Sequence, residues 1–139
     1  MDKANNSDFR FEKYVIKYSL IDIKEELTDN DSLNISITPK GIKYKDKFIL
    51  TLDVKISDNK NIVTINIIVD GIFFFKANIP CEQIGQYFTV NAPAIIFPYI
   101  RGYISMLTSL SGTGNIVIPT LNLTDLGKEL AENIEDRSE

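Results

Sequence analysis

Phe48, Leu50, Leu52, Val54 and Ile56 alternate with Thr51, Asp53, Lys55 and Ser57, and the alternation resumes at Val63, Ile65, Ile67 and Val69. A strand sends successive side chains to opposite faces, so this period of two predicts two strands, each with a dry face and a wet face. One wet face is the signature of an antiparallel sheet. The short polar connection Asp58-Asn59-Lys60 predicts that the two strands form a hairpin. Whatever the rest of the 139 residues do, they must supply a layer that covers this dry face.

Two further strands precede the hairpin. Phe9 to Leu27 is extended in character but carries two registers, with Tyr14, Ile16, Tyr18 and Leu20 on one parity and Ile21 and Ile23 on the other. A β-bulge near Leu20 reconciles them. Leu33, Ile35 and Ile37 form a short alternating strand, and Pro39-Lys40-Gly41 is expected to turn the chain. After the hairpin, Asp70-Gly71 is expected to mark a bulge or a close backbone approach. The following Ile72 to Phe75 run puts aromatic groups on both faces of the sheet.

From Pro80 the pattern turns helical. Glu82 to Phe88 predicts a short helix, and Asn91-Ala-Pro93 opens a long one to about Leu110, with proline suited to its first turn. Pro98, further in, is expected to kink or split it. Ser111-Gly-Thr-Gly114 ends it, and Asn115 to Leu123 is extended and apolar. Thr124 is read as the cap of a last helix that has Asp125 in its first turn and Leu126, Leu130 and Ile134 on one stripe. Strands first and helices later indicate an α+β class. The chain is read as a single domain over residues 9–134, with solvated tails at 1–8 and 135–139.

The long helix carries more apolar surface than one sheet can cover. On a helical wheel Ile96, Ile100, Tyr103, Leu107 and Leu110 form one stripe, Ile95, Tyr99 and Met106 a second, and Phe97 and Ile104 widen the arc. Only Arg101, Ser105, Thr108 and Ser109 remain as a polar strip. A surface helix on one sheet needs an apolar arc of roughly 100°. The excess points to cover on two sides, and a subunit interface is favoured as the second cover over a helix sandwiched inside its own domain. On that reading a charge placed at Ile100 breaks the assembly.

Composition narrows the chemistry. Net charge is −4, with no basic patch for nucleic acid. No apolar run approaches the ~20 residues of a membrane helix. The polar start of the chain reads as lacking an export signal, and the lone Cys81 suits a reducing cytoplasm. Histidine is absent, so the commonest general base and neutral metal ligand are both missing. No cofactor or metal is expected. Ser109 to Gly114 is glycine-rich but lacks the lysine of a phosphate loop, and Cys81 has no histidine to activate it. An enzymatic domain is therefore disfavoured, and a non-catalytic adaptor stays open.

Asp70-Gly-Ile-Phe73, Asn91-Ala-Pro-Ala-Ile-Ile-Phe-Pro-Tyr-Ile-Arg101 and Leu121-Asn-Leu123 together resemble the SecB family of protein-export chaperones, with matching order and spacing over about residues 60–124. The resemblance implies a four-stranded antiparallel, Greek-key-like sheet, with a long helix and a shorter C-terminal helix packed on one side. It also implies an ATP-independent, cytoplasmic holdase that assembles as a homodimer or dimer of dimers. Its clients are unfolded polypeptides, held translocation-competent for export. Residues matching Ile65, Ile67 and Val69 lie at the family's subunit contacts, with Ile96, Ile100, Tyr103 and Leu107 on the central helix. Phe73, Phe75, Ile116, Ile118, Leu121, Leu126 and Leu130 are the candidate client-groove residues. For each of them, burial inside its own protomer is an equal alternative. The family docks the motor SecA through an acidic sheet surface, for which Asp22, Glu25 and Glu26 are the candidates here. Asn66 stands where the family carries an acidic residue, and basic residues number 15 against 19 acidic ones. A SecB-like chaperone dedicated to an antitoxin or another specific client is the second expectation.

Overall fold

The computed structural model describes residues 9–25, 33–77, 79, 85–112, 116, 118 and 123–138. The alternating segments form the centre of its sheet. Strands β3 (Lys47–Asp58) and β4 (Val63–Phe75) pair antiparallel, with Ile56 opposite Ile65, Leu52 opposite Val69 and Phe48 opposite Phe73. The dry-face side chains from Phe48 to Ile56, together with Val63, Ile65, Ile67, Val69 and Phe73, are 1% exposed or less. In the connection the Asp58 carboxylate accepts hydrogen bonds from the backbone N–H of Val63 at 2.9 Å and of Lys60 at 3.2 Å. Asn61 takes the left-handed conformation at φ 58°, which its short polar side chain tolerates.

Strand β2 (Leu33–Lys43) pairs antiparallel with β3, and β1 (Phe9–Ile23) with β4. The expected turn at Pro39-Lys40-Gly41 is instead continuous strand, with Pro39 opposite Leu52 and Gly41 opposite Leu50. Gly41 is required there because a Cβ would lie 2.4 Å from the Phe48 ring. Residues 44–46 make the turn, closed by the Tyr44 N–H on the Lys47 carbonyl at 2.7 Å. Strand β1 carries two register shifts, around Glu12 and Lys17, rather than one near Leu20. After the second, Ser19, Ile21 and Ile23 face the same side as Ile67, Ile65 and Val63, while Tyr18 and Leu20 face away.

The helical layer covers the dry face. A π-helical turn (Tyr87–Asn91) leads directly into α1 (Ala92–Leu110). It drives Phe88 into an aromatic cluster, stacked on Phe48 at 4.1 Å and edge-on to Phe73 and Phe75 at 5.8 and 5.5 Å. Ile96, Phe97, Ile100, Ile104 and Thr108 of α1 are buried against the sheet. At Gly71 a Cβ would meet the Ile96 side chain at 2.6 Å, so the expected close approach is real, but no bulge accompanies it in the β3–β4 ladder. Pro98 does not split the helix, which runs unbroken through it. It sits on the exposed side together with Ala94, whose freed carbonyl can be met by water. Ser111 and Gly112, at φ 80°, close the helix with the Ser111 N–H on the Leu107 carbonyl at 3.1 Å.

Helix α2 (Leu123–Ala131) begins one residue before the expected cap Thr124 and buries Leu126, Gly127 and Leu130. Ile134, expected on its stripe, lies instead in strand β5 (Ile134–Asp136), which pairs parallel with β2. The sheet is therefore five-stranded and mixed, in the order β1-β4-β3-β2-β5. The first four strands keep the Greek-key arrangement. The four-stranded antiparallel expectation and the tail from 135 both miss β5, because a three-residue strand shows no period. A turn after α2 delivers it, and backbone bonds from Gly41 N–H to the Asn133 carbonyl (3.1 Å) and from Arg137 N–H to the Lys43 carbonyl (2.7 Å) hold it.

Candidate functional site: uncovered apolar surface

Once α1 has buried one stripe against the sheet, a second stripe faces outward. Tyr99, Met106 and Leu110 are 43%, 63% and 81% exposed. Ile95, Tyr103 and Leu107 flank them, half-buried. The stripe continues onto β1, where Tyr99 stacks on Tyr14 at 4.6 Å and on Phe11 at 5.9 Å. Tyr103 reaches β1 through a hydroxyl–hydroxyl bond of 2.9 Å with Ser19. Strand β1 is itself the outer strand of the sheet. An outer strand with exposed aromatic and branched side chains is a ready template for another chain.

A pocket of about 290 Å³ lies between the π-helical turn and α2, lined by Thr89, Val90, Leu123, Thr124, Gly127, Lys128 and Ala131. Gly127 makes it possible, since a Cβ at that position would lie 2.3 Å from the Thr89 carbonyl oxygen. Val90 is exposed, and the lining is mostly apolar, with two threonines and one lysine. This size and lining suit a single large apolar side chain. Neither Val90 nor Gly127 stands out in sequence. A glycine inside a short amphipathic helix was the one available signal.

The groove candidates have a different fate. Phe73, Phe75, Ile116, Ile118, Leu126 and Leu130 are all buried within the protomer core, and Leu121 lies outside the described residues. The buried ones belong to the hydrophobic core. Ile116 and Ile118 are pinned there by the polar strip of α1. The Ile116 N–H bonds the Thr108 hydroxyl at 2.9 Å, and the Arg101 guanidinium bonds the Ile118 carbonyl at 3.1 Å. The Thr108 hydroxyl itself donates to the Ile104 carbonyl at 2.9 Å, which satisfies a hydroxyl that is fully buried. Among the expected interface residues, Ile65, Ile67 and Val69 of β4 and Ile96 and Ile100 of α1 are likewise buried inside one protomer, as members of one hydrophobic core. Tyr103 and Leu107 alone of that set reach the surface.

Asp22 and Glu25 are exposed at the end of β1, and Glu26 lies outside the described residues. The helix-free face of the sheet is mixed in charge. Asp70 accepts from the Thr51 hydroxyl at 2.7 Å and pairs with Lys17 at 3.6 Å, while Asp53 accepts from the Asn66 amide at 2.7 Å. A shallow groove of about 580 Å³ crosses this face, with Lys17, Lys40 and Arg137 opposite Asp70 and Glu135. Among the described residues no three His, Cys, Asp or Glu side chains gather as a metal site, and no helix is long and apolar enough to cross a membrane.

Known proteins share this architecture. The chain is 29% identical over 127 residues to the protein-export protein SecB of Bartonella quintana, covering 90% of this chain and 79% of that one. It is 25% identical over 149 residues to the uncharacterized protein MJ0357 of Methanocaldococcus jannaschii, covering 100% of this chain and 95% of the relative. In structure it resembles the Mycobacterium tuberculosis Rv1957 SecB-like chaperone, solved in complex with a ChAD peptide from the Rv1956 HigA1 antitoxin. That likeness has a TM-score of 0.70 at 11% identity and covers 83% of this chain and 92% of that one. The family model for the preprotein translocase subunit SecB matches residues 9–132, and with that match spanning nearly all of the described fold, the chain belongs to the SecB family.

Proposed function

We propose that this chain is an ATP-independent holdase that self-associates through the β1–α1 surface and binds non-native polypeptides on the apolar surface that remains. The observation that carries the reading is the unburied stripe Tyr99, Met106 and Leu110, continuous with Tyr14 on β1, in a chain of the SecB family. Apolar surface is worth roughly 25 cal/mol per Å² when it is removed from water. A stripe of this extent is therefore spent on a partner rather than on solvent. The pocket beside Val90 and Gly127 is the proposed anchor for one client side chain.

Of the finer readings, a chaperone with a dedicated client fits better than a general export chaperone. Two observations favour it: the structural likeness to a SecB-like chaperone solved with an antitoxin peptide, and the mixed charge of the helix-free sheet face, where an acidic motor-docking surface would have to lie. SecA is the partner this reading gives up.

The test is suppression of light scattering by a reduced, unfolded protein at near-stoichiometric ratio, with and without ATP. Suppression independent of ATP is expected, together with no calorimetric heat on titration with SecA. Unchanged aggregation would overturn the holdase, and SecA binding would restore the export reading.

A further inference from the structure

Strand β5 covers only part of the outer edge of β2. It pairs with Gly41, Ile42 and Lys43, and among the described residues no strand pairs with Leu33 to Lys40 on that side. Three bonds reveal which backbone groups of β2 point outward. The Gly41 N–H bonds the Asn133 carbonyl, the Lys43 carbonyl accepts from Arg137, and the Pro39 carbonyl accepts from the Asn133 side-chain amide at 3.3 Å. All three residues are odd-numbered, and the β2–β3 register runs from Leu33 to Lys43 without a shift. Backbone groups alternate in direction along a strand paired antiparallel on one side. Leu33, Ile35 and Ile37 therefore present both N–H and C=O to the open edge. Pro39 ends this row, because it has no N–H to offer and its carbonyl is already occupied.

Their side chains add a second constraint. Leu33, Ile35 and Ile37 are half-buried on the helix side of the sheet, and Asn34, Ser36 and Thr38 are exposed on the other side. A strand laid along this edge would have one row of side chains beside the core and one row in water. Resting on the holdase reading above, we propose that the Leu33–Ile37 edge is a strand-addition site for an extended polypeptide segment that alternates apolar and polar residues. Strand β5 already shows an extended segment docked on the same edge, and the site continues that interface past Pro39. The occupant is a client rather than a second copy. Three outward-facing residues are too few to hold a dimer, whereas β1 offers a fifteen-residue edge with exposed aromatic groups. Main-chain bonding accepts many sequences, and the alternation supplies the selectivity.

The probe is a fluorescein-labelled synthetic peptide of alternating valine and threonine, compared with one of equal composition arranged in two blocks. Anisotropy is expected to show at least fivefold tighter binding of the alternating peptide. Amide hydrogen exchange on the intact protein is expected to slow at Ile35 and Ile37 when that peptide is bound. Ile37→Pro removes one outward N–H and leaves the β3 ladder intact, so it should weaken binding on the order of tenfold. Binding without protection of these two amides would overturn the edge site and leave the holdase standing. No binding of either peptide, with aggregation of an unfolded protein also unaffected, would overturn both. Protection that rises with protein concentration alone would assign the edge to a second copy and overturn the proposal. The exchange measurement needs no variant, so a misfolded Ile37→Pro does not remove the test.

Discussion

Asp58 shows how a single residue couples the hairpin to pH. The whole residue is only 3% exposed. Burial pushes its carboxyl pKa up, but the backbone N–H groups it accepts from, led by Val63 and Lys60, outweigh burial and hold it below the ordinary 3.8. A depressed folded-state pKa stabilises the fold at pH above the unfolded value, and that contribution is lost as pH falls through the folded one. Asp58→Asn should therefore lower the melting temperature at neutral pH. It should also shrink the drop between neutral pH and pH below 3.8, as calorimetry at several pH values would show. Gly127 acts through space rather than charge. Gly127→Ala would press a methyl onto the Thr89 carbonyl, costing about 1–3 kcal/mol of stability and closing the adjacent pocket. Denaturant unfolding would measure the first effect and client affinity the second.

At the scale of an element, α1 has two apolar stripes with different duties. Ile96, Ile100 and Ile104 face the sheet and are fully buried, whereas Tyr99, Met106 and Leu110 face outward. A charge at Ile100 would be buried unpaired, so Ile100→Asp should unfold the protomer rather than separate intact subunits. Met106→Asp should leave far-UV circular dichroism and the melting profile of the protomer intact and reduce the mass in light scattering. If Met106→Asp left the mass unchanged, the outward stripe would not be the contact. Ile116 is held by the Thr108 hydroxyl and Ile118 by Arg101, so Thr108→Val should loosen the first of the two by stranding the Ile116 N–H. Faster amide exchange at Ile116, with α1 still protected, is the expected readout.

The whole molecule has a sheet with one covered face, one wet face and two unlike edges. The β1 edge meets the apolar stripe of α1, and the β2 edge is closed in part by β5 and Pro39. The assembly proposed through the first would be an apolar event, so it should survive about 1 M salt, where charges are screened beyond ~3 Å. Sedimentation at low and high salt checks this, and dissociation at high salt would point to the charged sheet face instead.

Strict alternation from Phe48 to Val69 determined the central hairpin and its dry face, because side-chain direction in a strand is a local property. The apolar arc of α1 and the family motif from Phe97 to Arg101 were equally legible, since helical period and motif are written in consecutive residues. Which of two apolar stripes turns inward was not. Ile100 and Met106 differ little as sequence, and only the line of α1 across β4 and β1 separates them. The same holds for Phe73, Ile116 and Leu130, greasy enough for a groove but claimed by the core. Strand β5, the unbroken passage through Pro39 and Pro98, and the pocket over Gly127 were decided by tertiary structure alone. Each depends on what lies beside a short segment in space, and a residue's neighbours across the fold leave no period in its own sequence.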